Sequence, residues 1–131
     1  MNLQLPLSED YDKDFVFWLT IRIRRELFSN IDSKQVDRFN MLFKDDSFDF
    51  YEVISTAASS LKCKQIKSGY VIYIDPIVRY GNTNITINQL AKLMNYGQFG
   101  IKGYNLFTKV FNKVKANIAL YCEEYYSLFI L

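Results

Sequence analysis

The chain has 131 residues, of which half are hydrophobic and 17% are aromatic, and it contains only five glycines and two prolines. This composition can supply the core of one domain, residues 1–131, and it excludes a disordered or low-complexity chain. The net charge is +2, histidine is absent, and the two cysteines, Cys63 and Cys122, form no CxxC motif. We therefore exclude histidine-based acid–base chemistry and most zinc sites, and we expect both thiols to be reduced.

The first residues of the chain are unlike a secretion signal. A secretion signal has a basic region followed by an apolar one, whereas this segment has four acids: Glu9, Asp10, Asp12 and Asp14. No apolar run approaches the roughly 18 residues that span a bilayer. We therefore expect a protein that is made in a cytoplasm and has no membrane contact.

Residues 1–9 are interpreted as a loose lead-in, and a helix is predicted from Asp10 or Asp12 to about Ser29. Its first apolar stripe has helical spacing and consists of Phe15, Trp18, Leu19, Ile23 and Leu27. A second stripe on the same helix consists of Phe17, Ile21 and Phe28. A helix that is apolar on more than one side is typical of a central helix, or of one between the core and a partner. The basic residues Arg22, Arg24 and Arg25 are interpreted as its solvated edge.

The middle of the chain changes from helical to strand periodicity. Residues 31–46 predict a weaker helix with Ser33 as its cap, and residues 48–60 fit either a short helix or an extended segment. The alternating sequence LKCKQI, the turn KSG and the β-branched, aromatic YVIYID then predict a hairpin at about residues 61–75. Pro76 ends the second strand because it has no N–H to donate.

Two helices with a glycine-containing loop between them are predicted after the hairpin. Thr86 and Gln89 fit a capping box at the start of the first helix, and Gly97 follows Tyr96 at its end. Asn105 is the predicted cap of the last helix. The clearest amphipathic stripe of the chain then follows: Phe107, Val110, Phe111, Val114, Ile118, Tyr121 and Tyr125. The apolar sequence LFIL at residues 128–131 predicts either the end of the core or a contact with another subunit.

These elements predict an α+β fold. A small antiparallel sheet, with its hairpin at about residues 61–75, packs against an N-terminal helix and a long C-terminal helix. Charge is divided between the two halves of the chain: residues 1–60 hold seven Lys/Arg and eleven Asp/Glu, whereas residues 61–131 hold nine and three. This division has three interpretations: solvated faces, head-to-tail association of copies, or nucleic-acid contact through the basic half.

Enzyme signatures are absent from the sequence. It has no GxSxG, P-loop or GxGxxG motif, and the adjacent acids Asp45–Asp46 and Glu123–Glu124 point their carboxylates in different directions. We therefore expect no enzyme: no catalytic residue, no metal site and no cofactor. Aromatic residues are interleaved with lysines in residues 61–115, a pattern that also fits nucleic-acid binding: Tyr70, Tyr73, Tyr80, Tyr96, Phe99 and Tyr104.

The sequence LAKLMNYG at residues 90–97 leads into the glycine-containing loop, and Leu106-Phe107 begins the last helix. Upstream, TAASSL at residues 56–61 leads into the predicted hairpin. In this layout residues 56–118 resemble the neck, or tail-completion, proteins of tailed phages. That family has a segment Y-A-K-Y-hydrophobic-E-[YF]-G-T, a glycine-containing loop and a proline–aromatic–leucine helix start. The chain departs from the pattern at Gln98, at Ala57 and at Tyr104-Asn105, where the family has threonine, glycine and proline.

The resemblance implies a structural virion protein, one subunit of a ring that joins the head connector to the tail around the DNA channel. Its partners would be copies of itself, portal or head-closure proteins, and tail terminator or tail proteins, with non-specific proximity to DNA. The loop would supply the subunit interface, with Tyr96, Gly97, Phe99, Ile101, Lys102 and Tyr104. Charged contacts are expected at Arg22, Arg24, Arg25, Lys109 and Lys113.

Two other functions fit the same residues. A small phage-encoded protein that binds and inhibits a host factor would also be rich in aromatic residues and free of catalytic ones. The third hypothesis is a nucleic-acid-binding module that uses the basic half of the chain.

Overall fold

The computed structural model describes residues 1–10, 12–46, 48–98 and 101–129, without the side chains of Asp46 and Ile101. In the described residues the strands are β1 (Asn2–Pro6), β2 (Leu61–Ile66), β3 (Gly69–Ile74), β4 (Gly97–Gln98) and β5 (Ile101–Lys102). The helices are α1 (Lys13–Ser29), α2 (Ser33–Leu42), α3 (Phe50–Ser59), α4 (Ile87–Tyr96), α5 (Leu106–Ala116) and α6 (Ile118–Phe129), with a 3-10 turn at Lys44–Asp46. The predicted α+β class is confirmed.

The main sheet is antiparallel, with the strand order β1-β3-β2. The predicted hairpin is present, and its register pairs Leu61 with Ile74 and Ile66 with Gly69. The prediction of a loose lead-in at residues 1–9 is wrong, because β1 pairs with β3 along its whole length. The alternation in Asn-Leu-Gln-Leu-Pro buries Leu3 and Leu5 against the core, and the edge position of β1 tolerates a proline.

Helix α1 lies at the centre of the helical layer, where it packs against β2, α3, α5 and α6. Asp12 is its cap and accepts a hydrogen bond from the Phe15 N–H at 3.0 Å. The first predicted stripe is buried apart from Trp18, which is half-buried. The second stripe, Phe17, Ile21 and Phe28, faces away from the core, and the Phe17 side chain is 60% exposed. The helix therefore has an apolar outer face in addition to its core face.

Helices α2 and α3 are each preceded by a capping aspartate. The α2 cap is Asp32 rather than the predicted Ser33, because Asp32 accepts a hydrogen bond from the Lys34 N–H at 2.8 Å. Residues 48–60, which the sequence left open between helix and extended segment, form α3, and Asp49 caps it. Because α3 contacts both α2 and α4, it links the two helices that border the candidate site.

The C-terminal helical region divides at Asn117 into α5 and α6. The Asn117 side chain donates a hydrogen bond to the Lys113 carbonyl at 2.8 Å. An asparagine that bonds a nearby backbone carbonyl competes with the regular helical pattern. The predicted apolar stripe continues across the break: Phe107, Val110, Phe111, Val114 and Tyr121 are all buried. Ile130 and Leu131, from the predicted apolar LFIL segment, lie outside the described residues.

None of the helices in the described part of the chain is long and apolar enough to cross a membrane.

Candidate functional site

The loop that follows α4 is a short β-hairpin with a defined base. The predicted capping box at the start of α4 is present: the Gln89 N–H donates to Thr86 Oγ1 at 3.1 Å, and the Thr86 N–H donates to Gln89 Oε1 at 2.9 Å. Helix α4 ends at Tyr96, and the residue that follows it, Gly97, has a φ of 74°, which favours glycine. Gln98 pairs with Ile101, and Phe99 and Gly100 lie outside the described residues.

The base of this hairpin is fixed by Asn95, which is fully buried. Its Oδ1 accepts a hydrogen bond from the Thr108 N–H at 3.0 Å, and its Nδ2 donates to Thr108 Oγ1 at 2.8 Å. Its backbone carbonyl accepts a hydrogen bond from the Asn105 N–H at 2.8 Å. Asn95 thus ties the end of α4 to the first turn of α5, where backbone N–H groups lack helical partners.

Asn105 stands at the predicted N-cap position of α5, but its side chain does not cap the helix. Asn105 occupies the position before the helix with a left-handed φ of 54°, and its side chain makes no capping hydrogen bond. Asn95 satisfies the N–H of Thr108 instead. Nearby, a Cβ at Gly103 would lie 2.2 Å from the Tyr96 carbonyl carbon, so this position accepts only glycine without a backbone shift.

An apolar groove lies beside the hairpin, between α2 and α4. We call it the hairpin groove; its cavity measures about 290 Å³, and the residues that define it are Arg38, Met41, Leu42, Leu93, Lys102 and Tyr104. The Met41 and Leu42 side chains are 68% and 54% exposed, which is high for apolar groups. An exposed, concave apolar surface of this kind is typical of a binding site.

A second apolar depression adjoins the hairpin groove. Phe43, Phe48, Ile85 and Leu93 line it, together with Gln98 of β4. Leu93 lines both cavities, while β4 borders one and β5 borders the other. The hairpin therefore stands within a larger apolar surface formed by α2, α4 and the connection before α4.

The residues predicted for the subunit interface surround this hairpin. Tyr96 is 58% exposed, and Gly97 is half-buried. Lys102 is exposed and its Nζ lies 5.2 Å from the ring centroid of half-buried Tyr104, in cation–π geometry. Ile101 lies in β5, although its side chain is outside the description, as is all of Phe99. Of these residues, Lys102 and Tyr104 line the hairpin groove directly.

Two of the predicted charged contacts are formed inside the chain, around the buried carboxylate of Glu26. Lys113 Nζ lies 2.8 Å from Glu26 Oε2, and Arg22 lies 3.8 Å from Glu26 Oε1. Arg22 also pairs with Glu124 of α6 at 3.2 Å. The hydrogen bond from Lys113 lowers the pKa of Glu26 against the opposing effect of burial, and the same bond raises the pKa of Lys113. This cluster joins α1, α5 and α6.

The other predicted charged contacts have fewer internal partners. Arg24 Nη2 donates a hydrogen bond to the Leu61 carbonyl of β2 at 3.4 Å. Arg25 and Lys109 are exposed, and neither forms an ion pair with another side chain in the described ranges. They remain open to external contacts, whereas Arg22 and Lys113 are committed to Glu26.

The aromatic residues that suggested nucleic-acid stacking do not share one surface. Tyr70 and Tyr80 are buried, and the Tyr80 hydroxyl donates to Glu52 Oε2 at 2.9 Å. Tyr73 lies on the outer face of the sheet beneath Lys64, whose Nζ is 5.1 Å from the ring centroid. Tyr96 and Tyr104 belong to the hairpin surface instead. The interleaved pattern is therefore divided among the core, the sheet and the hairpin.

The contribution of α2 to the groove was missed by the sequence reasoning. Met41 and Leu42 were grouped with Val36, Phe39 and Phe43 as one weak helical pattern. Helical geometry separates Met41 from the others, because Met41 is two positions from Phe39 and lies on the opposite side of the helix, whereas Leu42 is three positions from Phe39 and stays on its side. That offset was the available signal that α2 has exposed apolar residues.

No group of three or more His, Cys, Asp or Glu side chains arranged to hold a metal ion occurs among the described residues. In comparisons with known proteins, no protein-family model, no curated protein and no solved structure matches the chain.

Proposed function

We propose that the chain is a structural, non-catalytic subunit that assembles with copies of itself into a ring at the neck of a tailed phage, between the head connector and the tail. The observation that carries this proposal is the anchored hairpin beside an exposed apolar groove. The hairpin falls within the segment that resembles the neck proteins, and its residues Lys102 and Tyr104 line the groove.

The fixed base of the hairpin supports a role in assembly. The Asn95 hydrogen bonds and the close backbone approach at Gly103 hold the hairpin before any partner arrives. A surface that is already ordered loses less conformational entropy when it binds. Docking against the described part of this hairpin would therefore order few additional groups.

A ring also requires two different contact surfaces on each subunit, because a head-to-tail interface joins unlike patches. The chain exposes apolar side chains on separate elements. The hairpin groove belongs to α2, α4 and β5, while the outer face of α1 presents Phe17, Ile21 and Phe28 and the outer side of α6 presents Leu120 and Leu128. These surfaces share no residue, so a single copy can use two of them at once.

The proposal is tested by placing an unpaired charge in the groove. We expect Leu42→Lys to fold normally, because Leu42 is exposed at the end of α2. The new ammonium would lie beside Arg38 and Lys102, and burying it where an apolar side chain of the neighbour should dock costs about 3 kcal/mol, roughly a hundredfold in affinity. Particles produced with this variant as the sole copy should contain little of it and should infect poorly, as counted by mass spectrometry and plaque assay.

Tyr51→Lys is the matched control, because Tyr51 is 52% exposed on α3 and does not line the hairpin groove. Circular dichroism verifies the fold of both variants. Normal incorporation of Leu42→Lys would contradict the assembly role of the groove. A different pair of results would favour the inhibitor hypothesis: particles made with Leu42→Lys are normal, and a host protein binds the wild type but not this variant.

A further inference from the structure

We propose that the outer end of α6 in one copy, with Leu128 and Phe129, occupies the hairpin groove of the next copy. This inference rests on the proposed ring assembly and names the two surfaces that meet in it. It follows from the shape and charge of the groove and from the composition of α6.

The groove accepts an apolar side chain and favours a carboxylate at its edge. Its cavity of about 290 Å³ is lined by Phe39, Leu42 and other apolar residues. For comparison, an engineered apolar cavity of about 150 Å³ holds a benzene molecule, so one phenyl ring and part of a second side chain fit here. The charged residues that line the groove are both basic, Arg38 and Lys102, which gives it a cationic edge.

The outer side of α6 has the complementary composition. Leu120, Glu124 and Leu128 follow one another at intervals of four and therefore share one side of the helix. Leu128 and Phe129 are 59% and 62% exposed. The helix sequence IALYCEEYYSLF contains two acids, Glu123 and Glu124, and no basic residue. Glu124 is already paired with Arg22 of α1 at 3.2 Å, so the exposed Glu123 is the carboxylate of α6 that remains for the cationic edge of the groove.

Charge disfavours the other exposed apolar helix face as the occupant. The outer face of α1 carries Phe17, Ile21 and Phe28, but Arg24 and Arg25 lie between Ile21 and Phe28. Docking this face would bring these arginines against Arg38 and Lys102. Like charges placed together at an interface are unfavourable and act against the wrong pairing. The α6 end therefore fits the groove better than the α1 face does.

The proposed contact is heterologous, because the groove and the α6 end are different parts of the chain. Each copy would receive the α6 end of one neighbour and give its own to another. A contact of this kind propagates from copy to copy and closes into a ring when its rotation allows.

Cysteine cross-linking tests the contact directly. Leu42→Cys and Leu128→Cys are prepared as separate full-length chains, mixed at roughly 0.5 mM to populate contacts of up to millimolar Kd, and oxidised. Phe17→Cys, mixed with Leu42→Cys, is the matched control because Phe17 and Leu128 are equally exposed. We expect the groove–α6 mixture to give at least about tenfold more covalent dimer, the ratio that a 1.4 kcal/mol preference produces, with the bond mapped to positions 42 and 128.

Equal yields in the two mixtures, a preference for Phe17→Cys, or no covalent dimer in either would overturn the inference. Oxidised wild-type chain, which retains Cys63 and Cys122, gives the background. A failure of the groove–α6 contact can be told apart from a failure of the ring proposal. If the wild type self-associates in sedimentation velocity, or is present in particles, while the groove–α6 bond does not form, then only the pairing of these two surfaces is wrong.

Discussion

Asn95 is a buried polar residue whose side chain connects two segments of backbone. Its Oδ1 and Nδ2 both bond Thr108, and its carbonyl accepts from the Asn105 N–H. A fully buried carboxamide is tolerated because its hydrogen bonds are satisfied. The hairpin base is thus specified by one side chain that belongs to α4 but stabilises the start of α5.

Replacing Asn95 by alanine should destabilise the protein by about 2 kcal/mol. The change removes two hydrogen bonds and leaves polar atoms of Thr108 without their partner in a partly buried site. Urea unfolding followed by circular dichroism measures the loss. Asn105→Gly is the control, and it should be nearly neutral because the Asn105 side chain caps nothing and its φ is positive. A neutral Asn95→Ala would show that the anchor is not important for stability.

Residue-level predictions from the sequence succeeded where the partners are close along the chain. Asp12 and the Thr86–Gln89 box were identifiable because a cap and its target are two or three positions apart. The bond between Asn95 and Thr108 spans 13 positions, and it required the loop to turn back on itself. Asn105 was chosen as the cap because it stood in the expected place, although its backbone conformation directs its side chain elsewhere.

At the level of elements, the Glu26 cluster holds three helices together. Glu26 is 9% exposed on α1, and it receives Lys113 from α5 and the Tyr121 hydroxyl from α6, the latter at 3.4 Å. A buried carboxylate is stable only when it is paired and hydrogen-bonded. The cluster therefore joins the acidic and basic halves of the sequence within one molecule.

Glu26→Gln should lower the free energy of unfolding by about 1–2 kcal/mol at neutral pH. Because the pKa of Glu26 is lowered below its ordinary value of 4.5, its contribution is complete above that value and disappears as pH falls through the folded-state pKa. The wild type should therefore lose more stability than the variant between pH 7 and pH 3. Urea unfolding across this range measures both, with Glu123→Gln as an exposed control that changes stability by less than about 0.5 kcal/mol.

A difference between wild type and Glu26→Gln that stays constant from pH 7 to pH 3 would contradict the ionised, hydrogen-bonded state of Glu26. A larger difference at low pH would reverse the sign that the lowered pKa requires.

The elements themselves were largely predictable because periodicity is a local property. The hairpin of β2 and β3 and the core stripe of α1 followed from alternation and helical spacing. The strand β1 was missed because only Leu3 and Leu5 mark it, and such a short alternation is common by chance. The break at Asn117 was missed because the apolar stripe continues through it from α5 to α6.

At the level of the whole molecule, the groove could not be predicted because its parts are distant in sequence. Gln35 of α2 donates a hydrogen bond to the Met94 carbonyl of α4, 59 positions further along the chain. Only the packing of α2 and α4 around α3 brings Met41 and Leu42 next to Lys102 and Tyr104. The sequence did indicate that the loop after α4 is unusual, and the groove lies directly beside it.

The central claim is that the chain is a stoichiometric part of a phage neck, and its copy number in particles tests this most directly. Quantitative mass spectrometry of purified particles would count the chain against the portal protein. We expect about one or two copies per portal subunit, because a ring closed by one repeated head-to-tail contact holds a fixed number of copies. Absence of the chain from particles, while it is abundant in the cells that produce them, would contradict the account.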